Sequence, residues 1–465
     1  MPYKLKILSP LHIGCGETYS GLTFIIDRGK FYYIDSDIIF NFLSDKKVQH
    51  FVRWIEESTR EIEVLEKNIS SLRKQKTNVN KSDLDNARKK EREIKRQFTL
   101  WNYMRMEKLN LKELLEKSSY SAGVIGSIYN DVEINPFIKQ MHRPYIPGSE
   151  IKGAIRTAVL YGQLVDNPDL MMFLKNKLTK FRTDNASKIE KVRNSSKPDR
   201  EIKKDLGKQM KEIEYAFQEE VFNSVKGDAK YDVMKYITVG DSELLDADKV
   251  LAVSRTEVFT QQRTGRPSYS EFIIPGNIVS LTLLAIEANK SRMQKLERMA
   301  FTDRQKQIVS GMNAILDYCF RFSSDLLQEE ISYFNNQHKG DIVARLEEIK
   351  SQNSRESPVF RIGKDEGFNS LTVGMAIKKM APDLYENVLI HATKGKSYDF
   401  GFPKSRKIVQ WNGKELTVGW VQLLPADKAN IHESNTTASI IKLRRNTSKL
   451  DLSGLKDKFG GQGTR

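Results

Sequence analysis

The sequence, 465 residues long, predicts an α+β fold. An alternating strand at residues 3–8 precedes a strand pair at 23–26 and 31–34, and a helix follows near residues 35–43. Charged helical segments come next, and a long β-hairpin is predicted for residues 250–286. Strand, hairpin and helix in this order fit a ferredoxin-like module of the α+β class.

Length and charge indicate the class of partner. A chain of this length exceeds a usual single core, so two domains are expected. The 76 Lys and Arg against 60 Asp and Glu give a net charge of +16, which favours a nucleic acid as partner. No apolar run approaches the ~20 residues of a membrane span, so no membrane partner is expected. The two cysteines lack metal-ligand spacing, which favours a cytoplasmic protein without metal or other cofactor.

Residues 144–160 form the most informative stretch of the chain. Pro147 and Gly148 turn the chain, and an amphipathic helix with an N-cap at Ser149 is predicted to follow. A helix start with free N–H groups, followed by two cations one turn apart around a glycine, could hold a phosphate chain. An ordinary helix with solvated cations is an equal alternative. The candidate ligands are Ser149, Lys152, Gly153 and Arg156.

Two glycine-bearing loops resemble each other. Residues 11–17 and 360–367 each contain an apolar residue and one further side chain before an Ile-Gly pair. Two copies of one strand-to-loop unit suggest a duplicated module. The candidate RNA-binding residues in these loops are His12, Gly14, Gly16, Arg361, Gly363 and Lys364.

The predicted hairpin at residues 250–286 carries cations between aromatic residues. Arginines can hold phosphates while rings stack on unpaired bases, as single-stranded RNA requires. The candidates are Arg255, Arg263 and Arg266, accompanied by Phe259 and Tyr269. A hairpin tip that is merely stabilised across its strands is the alternative.

Three further segments are rich in charge. Residues 53–117 predict two antiparallel helices that turn near 77–80 and contact a partner or the domain body. Residues 175–211 hold 13 basic and 5 acidic residues, which fits either a flexible basic arm or a solvated helical insertion. The predicted domains are 1–288, with insertions at about 53–117 and 166–230, and 289–425, followed by a mobile basic tail at 426–465.

The motifs resemble those of a known family. Residues 145–156, read Tyr-Ile-Pro-Gly-Ser-x-Ile-Lys-Gly-Ala-Ile-Arg, and the opening at 8–16 resemble the RAMP superfamily, the RNA-binding subunits of CRISPR effector complexes. Val-x-Asp-Ser at 239–242 and Gly-Trp at 419–420 are also similar. Within the superfamily, the length and insertions are most similar to the fifth-subunit family of type III-A (Csm) complexes. The resemblance implies tandem ferredoxin-like (RRM/RAMP) modules, with the hairpin as a thumb over the guide strand.

The resemblance also implies a function. It is that of a non-catalytic subunit that binds CRISPR RNA (crRNA), caps the backbone filament at the crRNA 3′ end and supports maturation of that end. The implied partners are crRNA, target RNA near the guide 3′ region, the repeated backbone RAMP subunit and the small helical subunit, with host nucleases as further candidates. One alternative is a metal-independent endoribonuclease that uses His12. Another is a structural adaptor whose basic charge is incidental.

Overall fold

We describe the protein from a computed structural model. The structure describes residues 3–74, 81–194, 199–260, 265, 267–281, 284–286, 290–386 and 403–426. Arg263, Arg266 and residues 427–465 of the predicted tail lie outside this part of the chain. Within it, strands and helices are mixed, and the predicted α+β class is confirmed.

The strands are short and spread over the whole chain. They are β1 (Tyr3–Ile7), β2 (Phe24–Asp27), β3 (Lys30–Tyr33), β4 (Tyr120–Ile125), β5 (Ile134–Asn135), β6 (Lys139–Gln140), β7 (Arg143–Pro144), β8 (Ile237–Val239), β9 (Leu251–Phe259), β10 (Ser268–Ile273), β11 (Ile278–Ser280), β12 (Leu284–Ile286), β13 (Val359–Arg361), β14 (Arg406–Trp411), β15 (Lys414–Thr417) and β16 (Trp420–Pro425). Two larger sheets hold most of them.

The helices differ widely in length. They are α1 (Ser36–Phe42), α2 (Asp45–Lys74), α3 (Lys81–Gln97), α4 (Leu100–Met106), α5 (Leu111–Glu116), α6 (Gly148–Asp166), α7 (Pro168–Asp184), α8 (Ala186–Asn194), α9 (Arg200–Phe222), α10 (Ala247–Val250), α11 (Lys290–Arg298), α12 (Asp303–Ile308), α13 (Met312–Asn335), α14 (Gly340–Ser351), α15 (Phe368–Leu371), α16 (Gly374–Met380) and α17 (Pro382–Leu384).

One sheet joins the first and the last of the strands, β1 and β16. Its strand order is β11-β1-β16-β13, and each neighbouring pair is antiparallel. Strands β1 and β13 therefore lie parallel to each other on either side of β16. Their side chains, such as Leu5 and Val359, are fully buried in the main core. The two predicted domains contribute strands to this one sheet, and a domain boundary near residue 288 stays a prediction.

The second sheet contains the predicted hairpin. Its order is β15-β14-β9-β4-β3-β2, and β10 also pairs with β9, with Ser268 opposite Thr256. Because β9 also pairs with β4 and β14, the base of the hairpin lies inside the sheet. Arg255 is the exposed residue between buried neighbours on β9.

The first insertion contains the predicted helical hairpin, α2 and α3, and continues with two short helices that were not predicted, α4 and α5. Helices α2 and α3 pack together, and Lys90 and Lys95 of α3 pair with Glu61 and Glu66 of α2 at 3.1 and 2.8 Å. Such exposed ion pairs contribute about 0–1 kcal/mol each. The first helix begins at Asp45, earlier than the predicted start, and the predicted turn at 77–80 lies outside the described residues.

Most of the second insertion that the structure describes is helical. Helices α7, α8 and α9 bury Leu178, Val192 and Leu206 against one another and the main core. Of the two interpretations of residues 175–211, this favours the solvated helical insertion. Residues 195–198, between α8 and α9, lie outside the described part of the chain.

Helix α6 packs closely on α13. A Cβ at Gly162 would collide with the ring of Tyr318, so the close contact requires glycine at this position. The hydroxyl of Tyr161 donates to Asp325 at 2.5 Å across the same contact. Helices α12 and α13 are separate, and α13 begins after Gly311. Cys319 of α13 is a buried core thiol, and burial raises its pKa to about 12.

Candidate nucleic-acid interface

The two glycine loops meet at one end of β16. The N–H of Lys364 donates to the carbonyl of His12 at 2.9 Å, which joins the second loop to the first. Between them, the N–H of Gly419 donates to Pro10, and its carbonyl accepts from Ile362, both at 2.9 Å. We call residues 10–16, 361–367 and Gly419 the loop junction.

Two glycines make this contact possible. Gly363 has φ +90° and Gly419 has φ +85°, a region that side chains rarely adopt. A Cβ on Gly363 would collide with the carbonyl oxygen of His12, and one on Gly419 would collide with that of Ile362. Gly16 also has a positive φ of +87°, yet no atom of the described chain lies within 4 Å of its Cβ position. Of the two glycines in the repeated Ile-Gly pattern, Gly363 has a positive φ and makes this close backbone contact, whereas Gly14 does not.

His12 lies beneath the junction and is only 2% exposed. Its Nδ1 donates to the carbonyl of Glu271 at 2.8 Å, and its ring contacts Phe137 and Phe272. Its Nε2 has no hydrogen-bond partner in the described part of the chain. Burial lowers the pKa of His12 to about 4, so the ring is neutral at pH 7. Direct contact with RNA through His12 is therefore corrected to a role in shaping the loop.

Arg361 is also buried, at 3% exposure. Its Nε donates to the carbonyl of Val418 at 2.8 Å, and a terminal nitrogen lies 3.4 Å from Glu330. Glu330 also binds Arg406 at 2.6 Å, so one carboxylate serves two buried guanidinium groups. The predicted RNA contact of Arg361 is thus corrected, because its charge is used inside the protein. Lys364, three residues further on, is exposed.

The start of α6 differs from the sequence prediction. The helix begins at Gly148, and Ser149 is exposed in the first turn instead of forming the N-cap. The carboxylate of Asp241 accepts from the N–H of Gly148 at 2.8 Å, and Ser242 accepts from Ile146 at 2.8 Å. The Val-x-Asp-Ser motif therefore caps the signature helix. A phosphate at this helix start would have to share it with the carboxylate of Asp241.

The three remaining candidates on α6 have different environments. Apart from the backbone of α6 itself, no atom of the described residues lies within 4 Å of the Cβ position of exposed Gly153. Lys152 beside it is half-buried, and burial lowers its pKa. Arg156 instead donates to Asp232 at 2.8 Å, and its guanidinium lies 4.0 Å from the centre of the Phe222 ring. Lys152 and Gly153 thus present an open surface, while Arg156 holds the helix to its neighbours.

The second loop also approaches the start of α6. Glu366 is largely buried, and this burial raises its pKa to about 8, with a smaller contribution from the charge of Glu150 on α6. The structure therefore brings together both glycine loops and the signature helix, which are far apart in the sequence. Arg255 lies elsewhere, on β9, where it pairs with Glu257.

Sequence reasoning missed a buried cluster around Glu271. This fully buried carboxylate accepts from the Tyr120 hydroxyl at 2.6 Å and the Phe137 N–H at 2.7 Å, and it pairs with Lys139. Since Phe137 also packs on His12, the cluster supports the first glycine loop from below. Its partners lie more than 130 residues from Glu271 in the chain, and no local pattern indicates them.

The described residues contain no group of three or more His, Cys, Asp or Glu that could hold a metal ion. None of the described helices is both long and apolar enough to cross a membrane.

Comparisons with known proteins agree with the motifs. The sequence model of the RAMP superfamily matches residues 4–320. A relative described as "CRISPR system Cms protein Csm5" from Methanocaldococcus jannaschii is 23% identical over 395 residues, which cover 80% of this chain and 72% of the relative. The protein of the same description from Streptococcus thermophilus is 25% identical over 278 residues, or 59% of this chain and 61% of that one.

Solved structures share the fold. A chain of a cryo-EM structure of a Csm–crRNA–target RNA ternary complex in a type III-A CRISPR-Cas system has a TM-score of 0.59 at 20% identity, covering 91% of this chain and 100% of that chain. The crystal structure of T. onnurineus Csm5 has a TM-score of 0.52 at 20% identity, covering 90% and 99%. The sequence relatives and this shared fold together confirm the predicted resemblance to the fifth-subunit family.

Proposed function

Because the chain belongs to the RAMP superfamily, we propose that it is a non-catalytic crRNA-binding subunit of a type III-A CRISPR-Cas effector complex. In this proposal it caps the backbone filament at the crRNA 3′ end and supports maturation of that end. The names of its relatives and the complex that contains its structural neighbour support the assignment. The observation that carries the proposal is the loop junction, which lies beside the open surface of α6.

The proposed RNA contacts are mainly backbone groups and lysines. Exposed glycine loops offer N–H groups to phosphates without steric hindrance, and lysine ammonium groups add charge. The bare surface at Gly153 allows a sugar–phosphate chain to approach the helix closely. The proposed set is Gly14, Gly16, Ser149, Lys152, Gly153, Gly363 and Lys364, with Arg255, Arg263 and Arg266 on the hairpin.

The proposed partners follow from the same assignment. They are crRNA, target RNA near the guide 3′ region, the repeated backbone RAMP subunit and the small helical subunit, with host nucleases as further candidates and the cytoplasm as the location. Helices α2 and α3 project a charged surface with exposed apolar residues such as Val64, which is 60% exposed. We assign this hairpin to contact with a protein neighbour.

RNA binding measured across a salt series tests the proposal. Each phosphate that a lysine neutralises changes the slope of log affinity against log salt by about −0.7 for single strands. The double variant Lys152→Ala/Lys364→Ala is expected to flatten the slope by about 1–1.5 while the melting temperature is unchanged. The matched control is Lys46→Ala/Lys67→Ala, two exposed lysines of α2. A wild-type affinity that does not depend on salt would contradict the proposal and favour the structural adaptor.

Cleavage assays test the alternative of a His12 endoribonuclease. The buried, neutral ring of His12 does not present an acid or base to a ribose 2′-OH. We expect no cleavage of repeat RNA by the wild-type protein in the absence of metal. Cleavage that is lost in His12→Ala, with the variant shown to be folded, would overturn the non-catalytic assignment.

Reconstitution tests the position in the complex. Assembly of the other subunits on crRNA with and without this protein is expected to change the length distribution of the crRNA 3′ ends. A protein with both glycine loops and residues 144–160 disrupted should fail to join the complex. Normal assembly and guide loading by such a protein would contradict the proposed interface.

A further inference from the structure

Helix α9 carries a column of cations on its outer face. Leu206, Phe217 and Val221 bury the inner face of this helix in the main core. On the outer side, basic residues and one tyrosine follow at spacings of four, four, three and four residues, which places them on one stripe of the helix. These exposed residues are Arg200, Lys204, Lys208, Lys211 and Tyr215. We call them the α9 column.

Most carboxylates of α9 lie beside the column. Glu201, Asp205, Glu212 and Glu219 form a neighbouring stripe, Glu214 lies on the other flank, and Asp205 pairs with Lys188 of α8 at 2.6 Å. Within the described part of the chain, no ion pair within 4 Å involves the four cations of the column, and the charge of Lys208 acts on Asp205 from a greater distance. Arg200, Lys204 and Lys208 are four residues apart, so they repel one another and destabilise the helix by a few tenths of a kcal/mol per pair. A polyanionic partner would convert this repulsion into attraction.

The column leads to the signature helix. Tyr215 precedes Gln218 by about one turn, and the side-chain oxygen of Gln218 accepts from the Nε of Arg156 at 3.2 Å. Arg156 lies one turn beyond Lys152 and Gly153 on α6. The surface of the column and the open surface of α6 thus adjoin through this hydrogen bond.

We propose that the α9 column binds the sugar–phosphate backbone of single-stranded RNA and extends the binding surface that begins at α6. The choice of ligand rests on the proposed function, since the column adjoins the proposed RNA site. At 1.5 Å per residue, Arg200 to Lys211 spans about 17 Å, enough for roughly five phosphates at the ~3.4 Å spacing of a stacked strand. Tyr215, with 60% of its surface exposed, can stack with a base at the end nearest α6.

The test removes the three lysines of the column. The variant Lys204→Ala/Lys208→Ala/Lys211→Ala is expected to flatten the salt slope for a 30-nucleotide RNA by about 2, since three phosphate contacts are lost. Tyr215→Ala alone is expected to weaken binding about fivefold or more. Alanine is a better helix former than lysine, so the circular dichroism spectrum should keep its helical signal.

A charge-matched control separates the column from net charge. Lys46→Ala/Lys67→Ala/Lys89→Ala removes three exposed lysines from α2 and α3 and is expected to change the slope much less. If the column variant and this control have the same slope, the inference is wrong while the proposed function stands. If the wild-type protein binds no RNA, the proposed function is wrong and the inference falls with it. Unchanged RNA binding with weakened assembly would assign the column to an acidic protein surface and overturn the inference.

Discussion

Basic residues occur in two contrasting regions of this protein. At the loop junction and behind it, Arg361 and Arg406 are buried and share the carboxylate of Glu330. On the outer surface of α6 and α9, half-buried Lys152 and exposed Lys208 form no ion pair with a buried carboxylate in the described chain. The comparison shows that the same residue types build the scaffold in one region and offer charge to a ligand in the other. The tertiary structure, not the local sequence, separates the two roles.

The largest effect is expected where the buried charges meet. Glu330→Ala would leave two buried guanidinium groups without their carboxylate, and such a loss costs about 3–5 kcal/mol. Urea denaturation measures the change in the free energy of unfolding. The neighbouring Glu329 pairs with Lys378 at the surface, so Glu329→Ala is the control, with an expected cost of about 0–1 kcal/mol. Equal losses in the free energy of unfolding for the two variants would show that the buried cluster contributes no more to stability than the exposed pair does.

The second prediction concerns the pH dependence of stability and His12. Burial holds the pKa of folded His12 at about 4, below its ordinary value of 6.5. Between these values the unfolded state binds more protons, so stability is lost as the pH falls from 6.5 to 4, by up to about 3 kcal/mol. His12→Phe keeps an aromatic ring between Phe137 and Phe272 but cannot titrate.

The comparison of wild type and His12→Phe isolates the titration of His12, because all other titratable groups are present in both proteins. The free energy of unfolding of wild type minus that of His12→Phe should fall by up to about 3 kcal/mol as the pH drops from 6.5 to 4. A difference that is constant from pH 7 to pH 4 would mean that His12 is not buried as the structure describes.

The third prediction compares two glycines of the loop junction. Both Gly363 and Gly16 have positive φ, which costs a non-glycine residue about 1–2 kcal/mol. Only at Gly363 would the added Cβ also collide with the carbonyl of His12. Gly363→Ala is therefore expected to destabilise the protein by at least about 1 kcal/mol more than Gly16→Ala. Thermal melting of both variants measures this, and a larger effect at Gly16 would contradict the described contact.

Much of the fold could be predicted from local patterns. The amphipathic spacing of α6, the charged helices of the insertions and the repeated Ile-Gly loops are all readable in short windows of sequence. The Ile-Gly pattern marks both loops, and their origin from a duplicated module stays a prediction. Their direct contact, however, depends on β1 and β13 flanking β16, which only the complete sheet defines.

The errors in the site have the same physical origin. Ser149 has a good N-cap side chain, but the capping carboxylate comes from Asp241, 93 residues away from Gly148. Arg361 and His12 have types of side chain that usually contact solvent, and distant carboxylate or carbonyl groups of Glu330 and Glu271 satisfy them inside. Burial is set by such long-range contacts, so a motif alone cannot distinguish a ligand-binding residue from a supporting one.

The smallest change in stability is expected at Gly153, where it separates folding from binding. Glycine within a helix costs up to about 1 kcal/mol relative to alanine, and no atom of the described chain lies near the Cβ position. Gly153→Ala should therefore stabilise the protein slightly. It should also weaken RNA binding, because the added methyl group would hold the sugar–phosphate chain away from α6 and Lys152. Asn176→Ala, on the exposed face of α7, raises helix propensity without touching this surface and should leave RNA affinity unchanged. If Gly153→Ala is more stable and keeps full RNA affinity, RNA does not bind at this part of α6.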